Sequence, residues 1–207
     1  MNRRRFLALL GSSVTAGCVV PASGPTETTP TAGEGYVRPE SEPATVPEPL
    51  ACDETGSTRL PVPFGDDAVQ WGDTQQFALR VDALTAEYGE TVTVSLTNTT
   101  AESVLTGNET KYAIEQYTTA GWQAVRVLSS GTPGPYDDDG ITHASGDGFD
   151  WRVELTEAGI AGLPSQDSGL AVCPDLRPAR YRFVYWGIPG APAVAVSFDL
   201  VRGTQAE

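Results

Sequence analysis

The chain has 207 residues, with 27 Asp or Glu against 13 Lys or Arg and a formal net charge of −14. That balance argues against nucleic acid as a partner, because a phosphate backbone is bound by neutralising it with basic side chains. With three cysteines, one histidine, and Met1 as the only methionine, the chain has little material for a metal or redox centre.

Arg3, Arg4 and Arg5 stand directly before the apolar run Phe6 to Leu10, which passes into small residues and ends at Ala16, Gly17 and Cys18. These are the parts of an export signal: a basic end that stays in the cytoplasm, an apolar stretch that enters the bilayer, and small residues that admit a peptidase. Phe6 to Val20 is 15 residues long and includes two serines and a threonine. A permanent span needs about 20 mostly apolar residues, so a transmembrane helix is the weaker reading. Arg3-Arg4-Arg5-Phe6-Leu7 resembles the twin-arginine export motif, and Ala16-Gly17-Cys18 resembles a lipobox with Thr15 where bacterial lipoboxes prefer leucine. The resemblance implies that residues 1–17 are removed and that Cys18 becomes the first mature residue, carrying a thioether-linked lipid. It also implies a mature chain held on the outer face of the cytoplasmic membrane by contact with membrane lipid.

Loss of the signal leaves ten basic residues against 27 acidic ones, a net charge of −17, and Lys111 is the only lysine. An acid-rich, lysine-poor chain resembles halophilic proteins, whose carboxylates keep their hydration in concentrated salt while the salt screens their repulsion. Residues 18–49 are built from Pro, Thr, Glu, Ala, Gly and Ser. Such a stretch has too little apolar surface to fold and is expected to be a disordered tether, whose roughly 30 residues span about 90 Å at full polyproline extension. Its threonines suit O-linked sugars. Residues 50–74, with Cys52, Pro61, Pro63, Phe64 and Trp71, are too apolar for a linker and lack a clean period; they are expected to be an extension fastened to the domain. With Cys18 lipidated, Cys52 and Cys173 are left as a pair in an oxidising compartment, where a disulfide is expected and two free thiols are the alternative. Closing a loop of about 120 residues would contribute on the order of 4 kcal/mol in the chain-entropy picture.

The domain is expected over residues 75–202, followed by a short tail, 203–207. Phe77 to Ala83 alternates apolar and polar residues, as do Val92 to Leu96, Lys111 to Glu115, Phe149 to Leu155, Tyr181 to Tyr185 and Val194 to Leu200, and Trp122 to Leu128 adds a further strand after a Thr-Thr-Ala-Gly turn. A period of two marks strands with one buried face. About seven such strands, with one short helix over Thr156 to Leu163, predict an all-β fold of two antiparallel sheets packed face to face. The segment Leu176-Arg177-Pro178-Ala179-Arg180-Tyr181 resembles the tyrosine corner of Ig-like sandwiches, in which the hydroxyl bonds to backbone upstream. With Leu96-Thr97-Asn98, Tyr112 to Glu115 and Gly121-Trp122, the stretch Phe77 to Val201 resembles the bacterial Ig-like domains of exported lipoproteins. Ala179 stands where such families usually have Gly, and the two cysteines are not at the inter-sheet positions of antibody domains. That resemblance implies an Ig-like antiparallel β-sandwich and brings no catalytic residues with it.

The search for chemistry is short. His143 is expected in a loop from Pro133 to Gly148 as a solvated residue. No serine has glycine two positions away on both sides, so the nucleophile elbow is absent. Blue copper needs two histidines with a cysteine, and a dithiol centre needs Cys-x-x-Cys; the chain has neither. Asp137-Asp138-Asp139-Gly140 is acidic enough for Ca²⁺ but misses the EF-hand spacing and reads as a solvated charge run. No cofactor is expected. Asn98-Thr99-Thr100 and Asn108-Glu109-Thr110 are sequons for N-linked sugar in expected loops. Together these features predict a non-enzymatic cell-surface lipoprotein whose Ig-like domain binds or spaces an extracellular protein or glycan, with Tyr136, Asp137, Asp138 and Asp139 as the first candidate binding loop. The alternatives are an accessory subunit of a membrane complex, or an enzyme using His143 with a nearby carboxylate.

Overall fold

The computed structural model describes residues 34–52, 56–134 and 139–203. In chain order its strands are β1 Thr58–Arg59, β2 Val69–Trp71, β3 Phe77–Val81, β4 Thr85–Glu87, β5 Thr91–Asn98, β6 Val104–Gly107, β7 Tyr112–Thr118, β8 Gly121–Ala124, β9 Arg126–Leu128, β10 Gly140–His143, β11 Gly148–Glu154, β12 Leu170–Val172, β13 Ala179–Tyr185 and β14 Ala193–Val201. Among the described residues there is one α-helix, α1, which covers Glu157–Ala161. Thr156 caps it by accepting a hydrogen bond from the Gly159 amide at 2.9 Å, so the helix begins where the sequence places it and stops short of Leu163. Among the described residues no helix is long and apolar enough to cross a membrane.

The fold is an all-β sandwich. One sheet has the order β11-β5-β3, and the other runs β2-β14-β13-β7-β8 with β4 also on β14. Leu79, Val92, Val94 and Leu96 of the first sheet pack against Ile114, Phe183, Val196 and Phe198 of the second. Trp151 crosses the seam, 4.8 Å from the Phe183 ring and 5.4 Å from the Tyr185 ring. Its indole N–H donates to the Glu109 carbonyl at 2.9 Å, satisfying the one polar group it carries inward. The Tyr181 hydroxyl donates to the Arg177 carbonyl at 2.9 Å and accepts from the Arg177 amide at 3.2 Å, the upstream backbone contact expected of it. Burial pushes that phenol up to about 12.

The two sheets differ in how much of each is covered. In β5 and β11 buried and more open residues alternate, as one solvated face requires. In β7, β13 and β14 nearly every residue is buried. Ala113 and Glu115, expected on a solvent face, are therefore inside as well. The outer face is covered by residues N-terminal to β3. Phe64, Val69 and Trp71 pack with Trp186 on Val184, Ala193 and Ala195.

Two further corrections concern pairing. The strand expected from Trp122 to Leu128 divides at Val125, where β8 stays with β7 while β9 pairs with β1 and β12 in a separate small sheet. The sheets are also not purely antiparallel, because β2 and β4 run parallel to β14. Between them the Ser197 amide donates to the Val37 carbonyl at 2.8 Å, so three separate pieces of chain complete one strand edge.

Residues 34–49 of the expected tether lie along this sandwich. Tyr36 bridges Val81, the Pro47 carbonyl accepts from the Thr119 amide at 2.9 Å, and Leu50 is buried in the main core. Gly72 shows how close the strap comes: its φ is +72°, and a Cβ there would stand 2.6 Å from a Val37 methyl. Residues 18–33 of the expected tether lie outside the described residues.

Beneath the extension, the buried Arg182 donates from Nε to Glu115 Oε2 at 2.7 Å and from Nη2 to Asp66 Oδ1. Burial raises the Glu115 pKa, and Arg182 opposes that rise. Removing one partner strands the other, so Glu115→Ala should lower unfolding free energy by about 3 kcal/mol. Replacing the pair together, with Arg182→Met and Glu115→Leu, should recover most of that loss when both are compared by urea denaturation.

Candidate functional site

The residues singled out in the sequence do not converge. Arg3, Arg4, Arg5, Phe6, Leu7 and Cys18 lie outside the described residues, as do Tyr136, Asp137 and Asp138 of the expected binding loop. Asp139 is described and exposed at the start of β10. Among the described residues no three His, Cys, Asp or Glu side chains come together as a metal would require.

His143 is not a solvated loop residue. It ends β10, opposite Val104 of β6, and is only 4% exposed. Phe77 and Phe149 meet its ring edge-on at 5.9 and 4.6 Å. Its Nε2 is 2.8 Å from the Thr106 hydroxyl, which itself donates to the Gly107 carbonyl at 2.8 Å. Burial lowers the imidazole pKa, and the charge of Asp147 offsets part of the shift.

Asn98 is likewise no open loop residue. It is 1% exposed, and its Nδ2 donates to the carbonyls of Glu102, His143 and Ala144 at 2.7, 3.0 and 3.1 Å. Its Oδ1 accepts from the Thr100 amide and hydroxyl at 2.9 and 2.8 Å. The side chain that a sugar would modify instead ties three segments together, which corrects the expectation of an accessible sequon. Asn108 is half-buried, and its Oδ1 accepts from the Thr110 amide and hydroxyl.

Cys52 and Cys173 form a disulfide with their Cα atoms 5.6 Å apart. Arg59 serves the same junction, donating to the carbonyls of Ala124, Cys173 and Leu50 and lying 3.4 Å from the Cys52 sulfur. The pair thus fixes the extension to the segment that enters β13.

The feature that the sequence did not disclose is a trough between the strap and the outer face of the larger sheet. Along β14 the inward residues Val194, Val196 and Phe198 are large while the outward ones, Ala193, Ala195 and Ser197, are small. Above Ala193 and Ala195 the space is taken by Phe64, Val69, Trp71 and Trp186, and of the three Ser197 faces the trough. Half-buried aromatics stand along the trough: Tyr117 and Trp122 are cross-strand partners with ring centroids 5.1 Å apart, and Trp71 is 6.3 Å from Trp122. Arg38 of the strap sits 5.3 Å over Trp71, and the buried Arg182 lies 4.5 Å over Trp122. Arg180 and Asp199 form a two-pronged pair at 2.8 and 2.9 Å, and that bond holds the guanidinium in its charged form. The cavity has a volume of about 490 Å³, and a second of about 550 Å³ adjoins it, with Pro43 and Arg180 lining both. Trp71 and Trp122 were visible as residues, but their meeting depends on a parallel pairing that no local pattern announces.

No protein family matches the chain, and no curated protein matches it either.

The His143 environment carries a pH signature. Because its folded pKa is depressed, stability is full above the ordinary imidazole value near 6.5 and is lost as pH falls through the lower folded value. His143→Phe removes that term. Its stability deficit against the parent, measured by chemical denaturation, should therefore narrow between about pH 7.5 and about pH 5.

Proposed function

We propose that this chain is an exported lipoprotein, anchored through Cys18 outside the cytoplasmic membrane, whose sandwich binds an extracellular partner. The observation that carries the reading concerns the cysteines. Two of the three are joined to each other, and the one outside the pair is Cys18, in the lipobox-like Ala16-Gly17-Cys18 behind Arg3-Arg4-Arg5-Phe6-Leu7. A disulfide accords with an oxidising compartment beyond the membrane. The twin-arginine-like motif accords with export of a chain that folds before crossing.

The strap changes the expected reach. With residues 34–50 against the domain, residues 18–33 remain between anchor and sandwich, and at full polyproline extension they would span about 50 Å. The domain is Ig-like on this reading, with the Tyr181 contact to Arg177 in support. The acid-rich, lysine-poor composition fits a saline exterior and disfavours anionic polymers as partners.

Intact mass and membrane partitioning of the native protein beside Cys18→Ser test the anchor. The expected result is a chain that begins at Cys18 with added lipid mass, and a variant that leaves the membrane fraction, since buried acyl carbons contribute about 0.8 kcal/mol each. An unmodified chain, or a variant that stays with the membrane equally well, overturns the reading.

A further inference from the structure

We propose that the trough beneath the strap is a binding site for a neutral oligosaccharide, with Trp71 and Tyr117 as stacking platforms and the Arg180–Asp199 pair as the polar anchor. This rests on the reading of the domain as a surface binding module and names the ligand class it takes.

A sugar ring presents two kinds of surface. Its C–H faces are apolar and flat, suited to an aromatic ring, while each hydroxyl both donates and accepts a hydrogen bond. A site for it needs exposed aromatic faces beside a mixture of donors and acceptors of both signs. The trough sets half-buried aromatic rings beside such groups, and on Trp71 a sugar would take the place of Arg38, which lies 5.3 Å over that ring. Tyr117 and Trp71 flank Trp122 within 5.1 and 6.3 Å, and all three line the cavity together with Arg38, Arg180 and Glu40. The rings are half-buried and tilted by 52° and 54° to Trp122, so they form a shallow cradle and not a closed hydrophobic stack. Arg182, pressed on Trp122 from within the buried ion network, holds that ring in place.

Other ligand classes fit less well. A lipid chain would bring no hydrogen-bonding group to a lining that includes Arg38, Glu40, Glu42 and Arg180. An anionic polymer meets a chain whose net charge is −14. A single monosaccharide would leave most of the space unfilled, whereas the two cavities of about 490 and 550 Å³, which share Pro43 and Arg180 in their linings, have room for an oligomer. Arg180 lies where the two meet, and its bond to Asp199 fixes its orientation.

The test uses the full chain and follows tryptophan fluorescence, since two of its four tryptophans line the trough. Hexasaccharides of glucose, N-acetylglucosamine, mannose and galactose are titrated in turn. At least one should give a saturable change. Trp71→Ala and Tyr117→Ala should each weaken it by about tenfold, while Trp71→Phe and Tyr117→Phe, which keep a ring, should retain most of it. Leu105→Ser, on the exposed β6–β10 ribbon, should leave it unchanged. Absence of saturable binding to all four probes overturns the proposal, as does binding that survives both alanine substitutions. A response only to an arginine-rich peptide, with Arg38 displaced from Trp71, would give the trough to a peptide and overturn it equally. Membrane partitioning of Cys18→Ser is read separately, so failure of the site and failure of the anchor are distinguishable.

Discussion

The larger sheet is buried on both faces, and most of the architecture follows from that constraint. A sandwich sheet ordinarily turns one face to water and alternates accordingly, as β5 and β11 do. Strands β7, β13 and β14 carry Ala113, Val184, Ala193 and Ala195 on the far side as well, and apolar surface there must find cover. A third layer is therefore obligatory, and the chain supplies it from residues N-terminal to β3. Arg182 of β13 and Glu115 of β7 lie buried beneath that layer. Two charges taken out of water are tolerable only when they answer each other, and Asp66 of the covering segment answers Arg182 a second time.

Covering a face also means closing an edge. Strand β14 pairs with β13 on one side, and its other edge would be a row of open backbone groups. Instead β2, Val37 and β4 take it in turn. None of these pieces is long enough to stand as a strand unaided, and two of them belong to sequence with no clean period. Their placement is secured from outside by the disulfide at Cys52 and by the Arg59 guanidinium, which gathers carbonyls of Leu50, Ala124 and Cys173 at one point. The cystine thus joins the covering segment to the segment that leads into β13.

How much of this was legible follows from the same distinction. Strands with one solvated face announced themselves: Val92, Val94 and Leu96 are inside, as their spacing required. For Tyr181 to Tyr185 the inward residues were also correctly read, but Arg182 looked like a solvent-facing residue when it is among the most buried side chains of the domain. A period of two records which residues are apolar; it does not record a polar residue that is buried because its partner is brought from elsewhere. Apart from β8 and β9, read together as one strand from Trp122 to Leu128, the short strands were invisible because two to four residues hold no period. Asn98 misled for a related reason: a sequon is a statement about three residues, whereas the fate of that amide was decided by carbonyls at Glu102, His143 and Ala144. The trough was hidden on both counts, since it lies between a proline-rich strap and an edge whose parallel partner no local pattern reveals.

The strap itself is held differently from everything beneath it. Of residues 34–50 only Leu50 is buried, so its attachment comes from backbone hydrogen bonds at Tyr36, Val37, Pro47 and Glu48 and from Arg38 on Trp71. Such segments open locally at a smaller free energy than a packed core does. Opening of this one would uncover the Ser197 amide and the Val81 backbone, while the cystine keeps the chain fastened at Cys52, just after the strap ends. The division is physically consequential: the roof of the trough sits on the low-stability side of the cystine, and the sheet, its aromatics and the Arg180–Asp199 pair sit on the rigid side.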